Sequence, residues 1–160
     1  MSSPPTTSAP AGSDAADLVE TIEAQMSWLA RGLEAAQRRR AYPLDRAQYL
    51  LLLIVHAHGP QTVMELADRL MLDGSTVTRQ VAVMEERGLI ERHANPADGR
   101  SVLIRETALG ARDAGTMRQM RLRRMQNLFK DWTVAERNAF ATLLAKFNAA
   151  LAASLRAEES

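Results

Sequence analysis

The stretch that decides the fold is "DGSTVTRQVAVMEERGLIERHANPADGRSVLIRET", residues 73–107. Residues 73–75 provide a turn and a candidate helix N-cap, and Gly88 marks the end of the helix that follows. The apolar residues of this helix recur at helical spacing and share one face: Val77, Val81 and Met84. The pattern predicts a short helix with one side buried.

Two short strands are predicted directly after this helix, at 89–94 and 101–106. The loop between them contains Pro96 and Gly99, which shape a turn, and Arg100 then projects from its tip. Asp98 is suited to bonding the local backbone or pairing with a nearby arginine. The two strands therefore form a β-hairpin within a chain that otherwise reads as helical.

A second short helix precedes the first across the turn. Thr62 with Glu65 three residues later is a capping-box pattern, and it opens a helix that carries Met64, Leu66, Ala67 and Leu70. Two short helices separated by a tight turn form a helix-turn-helix. A helix-turn-helix followed by two strands is the order of a winged helix.

The N-terminal part divides into a tail and two helices. Residues 1–16 are rich in Pro, Ser, Thr, Ala and Gly and predict a flexible tail. An apolar stripe from Leu18 to Leu33 predicts a helix within 17–44. Asp45 and Gln48 form a capping box that opens a central, buried helix, which Gly59-Pro60 ends.

The C-terminal part, residues 111–160, holds a long connecting helix and a final helix. Thr107 is placed to cap the long helix, which runs to about Lys130, and Thr133 with Glu136 forms a third capping box. The last helix carries one apolar stripe: Phe140, Leu144, Phe147, Leu151 and Leu155. The predicted order is four helices, a hairpin and two helices, with 45–110 as the winged helix-turn-helix.

Composition limits the class of protein. The chain of 160 residues has no cysteine, which excludes disulfides and thiolate metal sites. Its longest apolar run, Tyr49 to Val55, is too short to span a bilayer, and no secretory signal is visible. A cytoplasmic protein without a membrane partner is expected.

The net charge of +1 hides an uneven distribution. Residues 61–107 hold 6 Arg against 8 Asp or Glu, a balance of −2, whereas residues 112–130 hold 6 Lys or Arg against one Asp, a balance of +5. A surface that binds a polyanion would therefore be a mosaic. The basic helix face at 112–130 is most simply solvated, although its N-terminal part is also a candidate for DNA phosphates.

The helix that starts near Ser75 has an outward face suited to nucleic acid. At about 100° per residue, Ser75, Arg79 and Glu86 point away from the apolar side, with Thr76, Thr78, Gln80 and Val83 at its margins. Such side chains near a helix N-terminus can read base edges in a major groove, and the terminus can receive a phosphate. The alternative is an ordinary solvated face.

Taken with this helix, the hairpin favours DNA binding. A wing beside a recognition helix reaches the neighbouring minor groove, which attracts arginine, and Arg100 is the candidate. An isolated hairpin would more often be a surface feature with a solvated charge.

The segment from Thr62 to Gly110 resembles the winged helix-turn-helix of the MarR (multiple-antibiotic-resistance regulator) family. The resemblance rests on "LADRL", "STVTR", "EERGLIER" and the pattern Asp98-x-Arg100 leading to Thr107-x-x-Gly110. It implies a homodimer whose N- and C-terminal helices form a dimerisation lobe, and the two apolar stripes independently require a partner surface. It also implies a major-groove surface: Ser75, Thr76, Thr78, Arg79 and Gln80.

In the same resemblance Arg100 enters the minor groove and Asp98 braces the wing. Ala82 and Val83 depart from the polar residues frequent at these positions in the family. Direct readout there is expected to be thinner, or replaced by an apolar contact with a thymine methyl group.

The resemblance further implies a repressor that a small, aromatic or anionic effector releases from a near-palindromic operator. Trp28, Tyr49 and His56 are the candidate contacts for such an effector, although each also fits a core or boundary position. The two-residue spacing of His56 and His58 does not suit a metal, and no cofactor or catalytic arrangement is evident. The alternative function is a winged helix used for protein–protein association.

Overall fold

A computed structural model describes residues 15–38 and 42–158. The helices and strands follow in chain order: α1 (Ala15–Arg38), α2 (Arg46–His58), β1 (Gln61–Thr62), α3 (Val63–Leu70), α4 (Gly74–Glu86), β2 (Ile90–Ala94), β3 (Val102–Glu106), α5 (Ala108–Leu128) and α6 (Val134–Glu158). The predicted winged-helix order is confirmed. The tail predicted over 1–16 lies outside the described residues, except that Ala15 and Ala16 already belong to α1.

The three predicted capping boxes are present and explain where three of the helices begin. The side chain of Asp45 accepts the N–H of Gln48 at the start of α2, and Thr62 accepts the N–H of Glu65 at the start of α3. Thr133 and Glu136 repeat the arrangement before α6, with the Thr133 N–H donating to Glu136 at 2.7 Å. Each box satisfies backbone donors that the first helical turn leaves unpaired.

The strands form one antiparallel sheet in the order β1-β3-β2. The hairpin pairs Ile90 with Glu106 at one end and Ala94 with Val102 at the other. The sequence predicted these two strands and missed β1, whose two residues pair with Ile104 and Leu103 of β3. A strand of two residues is too short for any alternation to show, so only its pairing defines it.

The core lies where α2, α3, α4, the sheet and the first half of α5 meet. Its fully buried side chains come from all of these elements: Leu51, Leu52, Leu66, Val77, Val81, Met84, Ile90, Ile104 and Met117. Gln48 is also buried, and its Oε1 accepts from the Arg87 guanidinium at 2.7 Å and from the Asp45 N–H at 3.1 Å. Arg87 also donates to the Pro43 carbonyl at 3.1 Å and thereby joins the end of α4 to the start of α2.

The start of α5 is held against the end of α4. The Thr107 N–H donates to the Leu89 carbonyl at 3.1 Å, and its hydroxyl donates to the Gly88 carbonyl at 2.7 Å. A Cβ atom at Gly110 would overlap the carbonyl oxygen of Leu89. Glycine at this position therefore permits the close backbone approach that positions α5 against the wing.

The chain divides into two compact units between Tyr42 and Pro43. Within the first, α1 carries exposed apolar side chains, including Leu18, Ile22 and Leu29. Within the second, α6 has no buried residue, and its predicted stripe from Phe140 to Leu155 is exposed throughout. None of the described helices is both long and apolar enough to cross a membrane.

Candidate nucleic-acid interface

Helix α4 turns one face into the core and the other outward. It begins at Gly74 with Asp73 as N-cap, one residue earlier than predicted. Its predicted inward residues, Val77, Val81 and Met84, have no exposed surface. On the remaining arc the structure brings together the five predicted major-groove residues: Ser75, Thr78 and Arg79 are exposed, and Thr76 and Gln80 are half-buried.

The hydroxyl groups on this arc already have internal acceptors. Ser75 Oγ donates to Asp73 Oδ1 at 2.5 Å, and Thr76 Oγ1 donates to Asp73 Oδ2 at 2.6 Å. Thr78 Oγ1 donates to the Gly74 carbonyl at 2.7 Å, one helical turn back. The three hydroxyl oxygens therefore turn lone pairs, rather than hydrogens, toward solvent.

A carboxylate occupies the start of α4. Asp73 Oδ1 accepts the Thr76 N–H at 2.8 Å, and the Ser75 hydroxyl, the Thr76 hydroxyl and this N–H together hold the pKa of Asp73 far below its ordinary range. A phosphate here would approach an ionised group. A phosphate at this helix end would therefore have to use N–H groups of the first turn other than that of Thr76, which is already bonded to Asp73.

Arg79 and Gln80 differ from the hydroxyl residues. No hydrogen bond or ion pair joins the Arg79 guanidinium to another described residue, and Arg79 is exposed. Gln80 Oε1 is buried and has no partner among the described residues. A buried acceptor without a partner raises the free energy of this rotamer of Gln80. The free energy would fall if the side chain turned so that its oxygen accepted a hydrogen bond from a donor outside the chain.

The wing is braced by side chains that bond its own backbone. Asp98 Oδ1 accepts the Arg100 N–H at 3.0 Å, as the prediction that Asp98 shapes this loop requires. Asn95 adds two contacts that the sequence reasoning missed: its Oδ1 accepts the Ala97 N–H at 3.0 Å, and its Nδ2 donates to Ser101 Oγ at 2.8 Å. An Asn directly before a Pro in a turn was the available signal. Arg100 is exposed beyond this network.

Comparisons with known proteins agree with this geometry. The MarR family model matches residues 42–101. The HTH-type transcriptional regulator YxaD of Bacillus subtilis is 37% identical over 135 residues, which are 82% of this chain and 94% of YxaD. The chain belongs to the MarR family.

Solved structures show the same architecture for this MarR-family chain. A MarR family protein from Bacillus stearothermophilus has a TM-score of 0.75 at 26% identity, covering 87% of this chain and 99% of that protein. A mutant MarR from E. coli, solved in complex with operator DNA, has a TM-score of 0.68 at 24% identity, covering 84% and 99%. The protein is thus a transcriptional regulator built on a DNA-binding winged helix.

The three candidate effector contacts of this MarR-family protein lie in different surroundings. Trp28 is on α1, in the first unit, with 38% of its surface exposed. Tyr49 is buried on α2, and the guanidinium carbon of Arg121 from α5 lies 5.2 Å from its ring centroid. His56, two turns further along α2, is exposed, and its Nδ1 lies 2.8 Å from Glu106 Oε1.

The two histidines of α2 have separate partners. His56 pairs with Glu106 at the end of β3, whereas His58 Nε2 lies 3.3 Å from the Arg69 guanidinium on α3. Across 15–38 and 42–158, no three His, Asp or Glu side chains come together as a metal site would require. The pair therefore contributes to the contacts of α2 with its neighbours.

Proposed function

We propose that this MarR-family regulator binds a near-palindromic operator as a homodimer, with α4 in the major groove and the wing in the adjacent minor groove. The observation that carries the proposal is the division of α4. Its apolar side is completely buried, and the predicted base-reading residues lie outside that side, with Ser75, Thr78 and Arg79 exposed and Thr76 and Gln80 half-buried at its margins. A helix so divided is anchored firmly enough to present side chains to base edges.

Arg79 is the proposed main donor to the bases. Arginine makes a bidentate contact with O6 and N7 of guanine, and the Arg79 guanidinium has no internal partner among the described residues to compete with this contact. Thr78 and Gln80 flank it on the same helix. Val83, with 44% of its surface exposed, is placed for an apolar contact with a thymine methyl group.

Arg100 is the proposed minor-groove contact. Asp98 and Asn95 hold the loop that carries it, so less conformational entropy is lost when the loop meets DNA. A narrow minor groove has a strong negative potential that attracts a guanidinium. The winged helix is not net basic overall, so a few arginines must supply most of the electrostatic attraction to DNA.

The exposed stripes of α1 and α6 support the homodimer. Apolar side chains such as Leu144, Leu151 and Leu155 on α6 recur along one face, and 37–45% of the surface of each stays exposed to solvent. A contiguous apolar face of this kind marks an association surface. A two-fold dimer would place its two α4 helices about one turn of DNA apart, roughly 34–36 Å, which is the spacing of half-sites in an inverted repeat.

The regulatory part of the proposal is repression relieved by a small aromatic or anionic effector. Trp28, Tyr49 and His56 remain the proposed contacts, and Arg121 over the Tyr49 ring supplies a positive charge beside an aromatic surface. Such a ligand acts only by binding one arrangement of the two α4 helices more tightly than the other.

The test begins with selection of bound sequences from a random DNA pool, and enrichment of an inverted repeat is the expected result. Changing Arg79 and Arg100 together to Ala should abolish duplex binding while the protein stays folded and dimeric. Each lost phosphate contact should lower, by about 1, the magnitude of the slope of the logarithm of the binding constant against the logarithm of the salt concentration. Arg31→Ala, which removes one positive charge from α1, is the control for each of the two single arginine variants.

Failure to enrich an inverted repeat would favour the alternative of a protein–protein interaction module. Wild-type affinity of the double variant across salt concentrations would show that the proposed surface does not read DNA.

A further inference from the structure

We propose that Asp73 is a positioning residue that fixes the hydroxyl groups of Ser75 and Thr76 as hydrogen-bond acceptors, so that the start of α4 prefers, on the DNA strand it contacts, bases that present an exocyclic amine over guanine or thymine. In the major groove these amines are N6 of adenine and N4 of cytosine. The inference deepens the proposed DNA-binding function and rests on it.

The geometry uses both oxygens of the carboxylate. Oδ1 accepts the Ser75 hydroxyl at 2.5 Å and the Thr76 N–H at 2.8 Å, while Oδ2 accepts the Thr76 hydroxyl at 2.6 Å. Hydrogen bonds from a hydroxyl to an ionised carboxylate are short and strong, and these distances fall in that range. The two hydroxyl hydrogens are therefore committed to Asp73.

A hydroxyl group has one hydrogen and two acceptor lone pairs. Once its hydrogen is used, the group can meet a base edge only by accepting. Ser75 is exposed and Thr76 half-buried at the end of α4 that approaches DNA in the proposed complex. An adenine or cytosine amine finds a partner there, whereas guanine O6 or thymine O4 would face another acceptor.

Thr78 extends the same acceptor surface, because its hydroxyl donates to the Gly74 carbonyl at 2.7 Å. The donors of the predicted surface then belong to Arg79 and to the amide nitrogen of Gln80. The outer face of α4 thus carries accepting side chains at Ser75, Thr76 and Thr78 and donors at Arg79 and Gln80, which gives it a directional preference for base sequence.

Capping alone does not require this arrangement. Asp45 caps α2 by accepting the Gln48 N–H at 2.9 Å, and the residues that follow it, Arg46 and Ala47, carry no hydroxyl. Asp73 makes the equivalent bond to Thr76 and in addition holds two hydroxyl groups. The additional bonds set the direction of the hydroxyl hydrogens on the face proposed to meet DNA.

The negative charge has a second consequence. The bonds from Ser75 and Thr76 lower the pKa of Asp73 far below neutral, so the group stays ionised beside the DNA backbone. Repulsion from phosphates weakens binding to every sequence alike, while the amine contacts favour particular sequences. Asp73 thereby raises the ratio of specific to non-specific affinity.

Asp73→Asn tests the inference with the smallest change of shape. The carboxamide oxygen can still cap α4, but the amide nitrogen donates, so the Thr76 hydroxyl must accept from it and its hydrogen becomes free. At the base position contacted by this turn, preference for adenine or cytosine should fall by about threefold to tenfold, the range expected for one hydrogen bond. Affinity for random duplex should rise.

Two further variants complete the test. Asp45→Asn makes the same change of charge and cap chemistry at α2, and its base preference should match that of the wild type. Thr76→Val removes the hydroxyl while keeping the backbone N–H that Asp73 accepts, so it should weaken the base preference without raising affinity for random duplex. Thr76→Val also decides the matter if Asp73→Asn fails to fold.

The outcomes distinguish failure of the proposed DNA-binding function from failure of the role assigned to Asp73. If the wild-type protein enriches no inverted repeat, the proposed DNA-binding function is overturned. If the wild type enriches one, and both Asp73→Asn and Thr76→Val keep its base preference and its ratio of specific to random affinity, the role assigned to Asp73 is overturned alone.

Discussion

The winged-helix body, residues 43–117, and helix α6 pack in opposite ways. Side chains of the body close on each other, so that Leu52, Val81 and Met117 have no exposed surface. None of the 25 residues of α6 is buried, although its stripe is as apolar as the body's interior. The body therefore closes around its own core, whereas the apolar stripe of α6 keeps 37–45% of the surface of its side chains exposed.

Local signals do not account for this difference. The capping boxes at Thr62–Glu65 and Thr133–Glu136 have the same bonds at the same lengths, 2.7 Å from the Thr N–H and 3.2 Å from the Glu N–H. An edge-to-face contact between Phe129 and Trp132, with ring centroids 4.9 Å apart, orders the turn before α6. What distinguishes α6 is that, among the described residues, ring contacts cover only the start of its stripe, where Phe140 meets Phe129 and Trp132.

The largest expected effect comes from Gly110→Ala in the body. A Cβ at Gly110 would overlap the Leu89 carbonyl oxygen, so the backbone of α5 or of the α4–β2 turn must shift. We expect the free energy of unfolding to fall by about 3 kcal/mol or more, measured by urea denaturation. Gly115→Ala in the same helix meets no atom within 4 Å and should be neutral or stabilising by up to about 1 kcal/mol. Equal changes in the free energy of unfolding for the two variants would show that the close approach of Gly110 to Leu89 does not constrain the body.

Leu144→Glu in α6 is the next largest. In the proposed homodimer it places a charge within an apolar interface, so the dimer dissociation constant should rise by at least about 30-fold, equal to about 2 kcal/mol. Sedimentation equilibrium measures it. Thr142→Glu introduces the same charge on the opposite side of α6 and should have little effect. An unchanged constant in Leu144→Glu would show that the stripe is not the interface.

Loss of a capping threonine should have a smaller effect, and its extent should differ between the body and α6. Loss of a Thr N-cap costs about 1 kcal/mol. Thr62→Ala should therefore increase amide hydrogen exchange throughout the body, because α3 belongs to the cooperative core. Thr133→Ala should increase it only in the first turn of α6. If Thr133→Ala increased amide hydrogen exchange throughout the body, α6 and the body would unfold as one cooperative unit, contrary to the prediction.

The smallest effect is a pH dependence shared by both boxes. The N–H and hydroxyl of Thr62 lower the pKa of Glu65 below its ordinary value of 4.5, and those of Thr133 do the same for Glu136. The stabilisation is complete above that value and is lost as the pH falls through the lower pKa of the folded chain. Acid titration followed by circular dichroism should show less pH dependence below 4.5 in Glu65→Gln and Glu136→Gln. If both variants lost structure with falling pH as the wild type does, the two glutamates would make no measurable contribution to the pH dependence of stability.

The sequence alone was sufficient for most helix boundaries, because a helix start depends on residues three apart and a helix face on residues three or four apart. For the same reason it predicted which side of α4 is buried. It missed β1, since two residues become a strand only by pairing with Ile104 and Leu103 of β3. It also did not reveal that Asp73 binds the Thr76 N–H at the start of α4.

Local pattern thus determined the helices, the hairpin, the caps and the resemblance to a MarR-type winged helix, because each depends on interactions within a few residues of chain. Only the tertiary structure showed the close approach of Gly110 to Leu89, the bonds from Arg87 to Gln48 and Pro43, and the contrast between a closed body and an uncovered α6. These features join residues from separate elements. Their energies depend on distances that the order of residues along the chain does not contain.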